Sequence, residues 1–336
     1  MYPIKRNTAH ADYAHTEFGK VRVIRRHNTA TEESLKFVRP HPERIHTVPG
    51  KITKLNLPAG CFNAGLATAP AAGFYICVYR PDEYHFRACL LDADFNKLDV
   101  DIDLGISNCA DPRLIWIDDK RLMIVYSSFA GDHDWANECI RGAILLDLNR
   151  SADFISPLEP FLISPPGIGR QKNWVPFMHD GAVHLIATAK PHSIYVMPEI
   201  GKIAVPAYST DWLSPWFNNE FFRGNTPPVQ LADGNFLNTY HSVVRKGRMH
   251  WYDNGCYLFE GKPPFKVVKA GWQTYLPAEA AVEPHFRKAG VIQVCFPVGM
   301  VNTDNKLLIS YGDNDSAVKI LETTVDDMFK TMRDVY

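Results

Sequence analysis

The chain has 336 residues, 46% hydrophobic and 12% aromatic, enough for a sizeable core without cofactor or disulfide support. Its 36 Lys and Arg are balanced by 37 Asp and Glu, which excludes the basic excess typical of nucleic-acid and anionic-membrane binders. No apolar run approaches the roughly 18 residues that span a bilayer, and the seven scattered cysteines form no CxxC pair.

In chain order, residues 1–60 read as a polar leader with no apolar signal core, holding two β-like pieces at 20–25 and 51–57. An early strand of this kind is expected to complete the last sheet and cover its edge. Five apolar runs follow, at 74–80, 121–128, 182–190, 235–243 and 306–313, and they read as innermost strands. Asp118-Asp119, Asp180-Gly181, Asp233-Gly234 and Asp304-Asn305 are the turn signals before four of them. Further strands are expected at 87–92, 142–148, 193–197, 249–259 and 317–322. In the tail, Val325, Met328, Phe329 and Met332 recur at helical spacing behind Asp326 and Asp327, which predicts a short amphipathic helix over 324–336.

Each run ends on a polar residue and follows a small polar motif at nearly constant distance. Asn63 precedes Arg80, Asp111 precedes Ser127, Asn173 precedes Lys190, Thr226 precedes His241 and Pro297 precedes Asp313, by 15 to 17 residues each. A β-rich unit repeated five times predicts an all-β chain folded as a five-bladed β-propeller, one domain over residues 1–336. Such a fold gathers residues distant in sequence around one axial pit.

Four constellations are candidates for that pit. Asp111, with Pro112 holding it extended and Arg113 beside it, is a candidate acid; its alternative is a turn-capping Asp. Arg170-Gln171-Lys172-Asn173-Trp174 offers two cations, an amide and an aromatic face, suited to a sugar beside an anion, or else to a solvated basic loop over a core Trp. The third is Arg223-Gly224-Asn225-Thr226-Pro227, answered by Tyr240-His241-Ser242 and Tyr252. The fourth is Phe296-Pro297-Val298-Gly299, answered by Tyr311-Gly312-Asp313-Asn314-Asp315. Thirteen histidines include no HExxH, and there is no GxSxG, Walker A or dinucleotide fingerprint, so no metal or nucleotide cofactor is expected.

Taken in this order, Asn63, Tyr79-Arg80, Asp111-Pro112-Arg113, Arg170 to Trp174, Phe296-Pro297, Tyr311-Gly312 and Asp315 resemble glycoside hydrolase family 130, the β-mannoside phosphorylases. They also resemble the related mannosyltransferase/phosphorylases of glycosyltransferase family 108. The resemblance covers about residues 60 to 322. It implies a five-bladed propeller and an inverting mechanism in which Asp111 is the general acid, delivering its proton through the mannose 3-hydroxyl. Inorganic phosphate then attacks the anomeric carbon and releases mannose 1-phosphate. It further implies Asn63, Arg80, Asn173 and Asp315 as sugar ligands, Tyr252 as a pocket residue and Arg170 as a phosphate ligand. His241 and Lys172 are added from their polarity and their position at strand ends. The chain departs from the family at Ala110, where Glu is usual, at Ala64 after Asn63, and around His241; these departures bear on acceptor and linkage.

The expected partners are thus a β-mannoside and inorganic phosphate or mannose 1-phosphate as co-substrates, in a cytoplasmic protein, with neither nucleic acid nor membrane. A phosphate-independent β-mannosidase using Glu279 or Glu283 as base, and a non-catalytic glycan-binding propeller, are the alternatives. The aromatics of residues 211–222 suit a homo-oligomer interface or a pocket wall.

Overall fold

Asp side chains at the heads of β-rich runs make the hairpins. Asp118 Oδ1 accepts from the amides of Lys120 and Arg121 at 2.9 and 2.7 Å, and Asp233 Oδ1 accepts from Asn235 at 3.0 Å. Asp180 and Gly181 both have positive φ, as a two-residue hairpin turn requires. Asp304-Asn305 lies outside the described residues. The structure is a computed structural model that describes residues 12–16, 19–23, 44–130, 134–213, 222–246, 249–284, 292–303 and 306–335.

Among the described residues the chain is nearly all β with one short α-helix. Three antiparallel four-stranded sheets follow one another. The first runs Phe62–Thr68, Tyr75–Arg80, Arg87–Leu91, Lys97–Asp103. The second runs Cys109–Trp116, Arg121–Ala130, Asp134–Asp147, Phe161–Leu162. The third runs Val175–His179, Ala182–Thr188, His192–Met197, Val205–Thr210. Of the other described strands, ten form one sheet with two antiparallel halves. One half is built on Phe236–Lys246 and Met249–Phe259, the other on Ile292–Thr303, Lys306–Asp313 and Ala317–Thr324. A parallel pairing of His250, Trp251 and Tyr252 with Ile292, Gln293 and Val294 joins them. Lys51–Lys54 pairs with Ala317–Thr324 and covers its open edge, as expected of an early strand. The piece near residue 20 pairs instead with its neighbour, Asp12–Thr16 against Gly19–Val23.

Core clusters lie between successive sheets. Ile76 and Val78 pack with Leu122 and Ile124; Met123 and Val125 with Val183 and Leu185; Phe177 and Ile186 with Phe236 and Tyr257. Leu237 and Leu258 pack with Leu307 and Ile309, and Leu308 and Ile320 return to Cys77 and Leu66 of the first sheet. At the far ends of the first strands a cavity of ≈ 280 Å³ is lined by Leu66, Leu114, Pro176, Pro227 and Met300, one residue from each motif-bearing segment.

Two expectations are corrected. The runs read as innermost are the second strands, and the motif segments before them form the first strands, through which the sheets touch. A Cβ on Gly65 would run into Pro112 O and one on Gly299 into Leu66 N, and Arg113 reaches the carbonyls of Gly224 and Asn225. First and second strands are both buried, but the second carries an unbroken apolar run, whereas Asn63 in the first sheet and Asp111 in the second interrupt the first strand and disguise it. The tail helix covers only Val325–Lys330, capped by Thr324 Oγ1 accepting from Asp327 N at 3.1 Å. Met332–Asp334 then pairs as a strand with Val267–Gly271, which buries Met332 without a further helical turn.

Candidate active site

The first strands of the first two sheets carry the same irregularity. Phe62 pairs with Arg80 and Gly65 with Val78, while Ala110 pairs with Ser127 and Arg113 with Val125. In each, one residue more lies on the first strand than on its partner, which is a β-bulge. Within the bulges sit Asn63 at φ 47° and Asp111 at φ 57°, and Asn173, ahead of the third sheet's first strand, has φ 61°. Left-handed backbone is uncommon outside glycine and best tolerated by Asn and Asp, which are the residues used here. Asp111 is therefore not extended as its Pro neighbour predicts: the bulge overrides that preference and turns the carboxylate inward.

These side chains converge. Asn63 Nδ2 donates to Asp111 Oδ1 at 3.0 Å, Arg80 Nη1 lies 3.5 Å from the same oxygen, and Lys172 Nζ lies 3.8 Å from Oδ2. Lys172 also stands 3.7 Å from Glu138 Oε1, while Arg170 Nε donates to Glu138 Oε2 at 2.8 Å. Asp111 is 2% exposed, whereas the Arg170 side chain is 45% exposed, so the cations open outward from a buried acid. Gly312 sits against Asn63: a Cβ there would run into Asn63 Oδ1. That contact brings the hairpin turn bearing Asp315, itself at φ 51°, toward the same end.

Burial alone would raise the Asp111 carboxyl. The ammonium of Lys172, the guanidinium groups of Arg80 and Arg113 and the Asn63 hydrogen bond outweigh it and hold the group below its ordinary range. Arg113, beside Asp111 in sequence, donates to backbone carbonyls and not to the carboxylate. It is fully buried, pulled down to about 10 by burial, and donates to the carbonyls of Asn225 at 2.6 Å, Asp111 at 2.9 Å and Gly224 at 3.3 Å. It fastens the bulge to the long sheet. His241 Nδ1 lies 2.6 Å from Asn225 Oδ1, its ring stacks on Tyr252 at 5.8 Å and meets the Phe296 ring at 5.0 Å. Burial, with Arg223, Arg113 and Lys172 nearby, keeps His241 far below the usual imidazole range and therefore neutral.

A buried carboxylate beside two cations on an open side can exchange a proton with one bound group while an anion sits next to it. A family model described as beta-1,4-mannooligosaccharide phosphorylase matches residues 97–334. The chain belongs to glycoside hydrolase family 130. No curated protein sequence matches it. Among structures, β-1,2-mannobiose phosphorylase from Listeria innocua, in complex with β-1,2-mannobiose, is 14% identical with TM-score 0.57, over 88% of this chain and 94% of that one. MPT-4, a mannose phosphorylase from Leishmania mexicana in complex with phosphate ion, is 13% identical with TM-score 0.58, over 86% and 91%. MPT-1, a GDP-Man-dependent mannosyltransferase of the same organism, is 12% identical with TM-score 0.56, over 84% and 92%. At these identities the likeness is one of fold.

In this family 130 chain Asn63, Arg80, Asp111, Arg170 and Lys172 form one connected cluster, and His241 with Tyr252 joins it through Asn225 and Arg113. Asn173 borders it, its amide donating to Ser127 Oγ at 3.3 Å. Trp174 offers no sugar platform: it is 1% exposed, donates to Gln171 Oε1 at 3.0 Å and packs on Tyr195 at 4.5 Å. Glu283, weighed as a base, is held by Lys54 at 2.8 Å and faces Lys319. Trp212 and Phe222 are buried against Tyr240, and residues 214–221 between them lie outside the described residues. Sequence reasoning missed Glu138, whose side chain is fully buried and which lies ahead of the strand expected at 142–148, and Asn254, one polar residue within the strand expected at 249–259.

Proposed function

We propose that the protein is an inverting β-mannoside phosphorylase that also runs in reverse, as a mannosyltransferase from mannose 1-phosphate, on a five-bladed propeller. Five core clusters in cyclic order and a cavity lined by five first segments support the blade count. The observation that carries the function is the shared ammonium. Lys172 joins the Asp111 carboxylate to the Arg170–Glu138 pair, so a proton-transfer group adjoins outward-facing cations.

In phosphorolysis, phosphate held by Arg170 and Lys172 attacks the anomeric carbon. The glycosidic C–O bond breaks, and the leaving oxygen gains the Asp111 proton relayed by the 3-hydroxyl. Asn63, Arg80, Asn173, Asp315 and Tyr252 hold the sugar. The cations that keep Asp111 ionised are neutralised in part by the arriving dianion, which loads the acid only when the nucleophile is bound. In the reverse direction the ionised carboxylate is already the base that an acceptor hydroxyl needs. Seven free cysteines suit a reducing, cytoplasmic setting. Mannose 1-phosphate with mannose as acceptor should release inorganic phosphate. Breakdown of mannooligosaccharides at a rate independent of phosphate would instead identify a hydrolase.

A further inference from the structure

We propose that Asn225 and Asn254 are positioning residues that fix the His241 imidazole with its proton on Nδ1, so that Nε2 offers a lone pair to a hydroxyl of a bound substrate. The argument starts from two backbone carbonyls. Asn254 Nδ2 lies 2.8 Å from Leu276 O and 2.9 Å from Cys295 O, and only the amide nitrogen can face two acceptors. Asn254 Oδ1 is therefore the atom 2.9 Å from Asn225 Nδ2. The orientation of Asn225 follows, and its Oδ1 is the atom 2.6 Å from His241 Nδ1. An acceptor facing Nδ1 requires the proton there, which leaves Nε2 bare.

The relay is rigid. Asn225 and Asn254 are fully buried, and His241 and Asn254 are register partners on adjacent strands. Asn225 is also held through its backbone, donating to Thr239 O at 3.1 Å and accepting from Arg113 Nε. Tyr252 and Phe296 fix the ring plane. Arg223, Arg113 and Lys172 act on the ring against Asp111, and with burial they keep it neutral. A neutral acceptor cannot bind a proton-free oxyanion oxygen; its partner carries O–H. Under the proposed function that O–H belongs to mannose or to the P–OH of hydrogen phosphate. Sulfate, which carries no proton at neutral pH, offers none.

The test uses the full chain labelled with ¹⁵N-histidine, with His241 assigned by the His241→Gln variant. Long-range ¹H–¹⁵N spectra at pH 7 should show Nδ1 protonated and Nε2 bare; a protonated Nε2 overturns the proposal. Inorganic phosphate, mannose and sulfate are then added singly. A shift of Nε2 with phosphate but not sulfate identifies the phosphate proton, and a shift with mannose identifies a sugar hydroxyl. No response to either ligand, or equal responses to sulfate and phosphate without one to mannose, overturns the presenting role. Asn225→Ala should release the tautomer and raise KM for the responding ligand roughly tenfold with little change in kcat; an unchanged tautomer in that variant refutes the relay. A protein with this tautomer and ligand response but no phosphate-linked turnover would sink the proposed function and leave the relay standing.

Discussion

Asp111→Asn separates chemistry from stability. The carboxylate faces Arg80 at 3.5 Å and Lys172 at 3.8 Å, and each such pair is worth about 4 kcal/mol at an effective dielectric near 20. Removing it also removes the cost of burying a carboxylate, several kcal/mol in the opposite direction. The cations are not abandoned: Lys172 keeps Glu138, and Arg80 keeps its 2.7 Å bond to Glu83 O and its seat 4.5 Å over the Phe62 ring. The net loss is about 1–2 kcal/mol, a fall of a few degrees in Tm for a chain of this size. Turnover should fall about 10²–10⁴-fold, as expected for loss of a positioned acid. Phosphate binding by calorimetry should persist or tighten, because a negative charge has left the site. The assay is phosphate release from mannose 1-phosphate with mannose, beside a thermal melt. Retained turnover in a folded variant would remove Asp111 from the acid role; a collapse in Tm would refute the balance of terms.

Arg170→Ala should raise KM for phosphate at least tenfold with a smaller effect on kcat; an unchanged phosphate dependence refutes its assignment. Glu138→Gln releases Lys172 to act on Asp111 alone, so the acid's pKa should fall and the alkaline limb of the kcat/KM profile should move to lower pH while phosphate binds more tightly. An unmoved profile would show that Glu138 has no hold on the site. His192, fully buried with Nδ1 donating to Phe265 O at 2.9 Å, is pulled down to about 4 by burial, against the lift of that bond. Because its folded value lies below its unfolded 6.5, the unfolded chain takes the proton first, and stability is lost as pH falls from about 6.5 toward 4. The loss is about 2 kcal/mol between pH 7 and 5. Urea unfolding of His192→Gln should show a shallower acid loss than the wild type, and equal slopes would refute the attribution.

The β content, the strand runs and most members of the candidate cluster were readable from the chain, because strand runs, Asp turns and short polar motifs are local. Asp111 and the Arg170–Lys172 pair stood out by residue type and position, Asn63 and Arg80 drew their roles from the family resemblance, and the five do meet. Tertiary structure alone decided how they are used. It made the motif segments into bulged first strands, turned Asp111 left-handed against its Pro neighbour and sank Trp174 into the core. It also recruited Glu138 and Asn254, which carry no local signal. The physical reason is separation: Arg113 reaches a carbonyl 112 residues away and Asn254 one 41 residues away, and no local pattern records which buried group will face which across sheets.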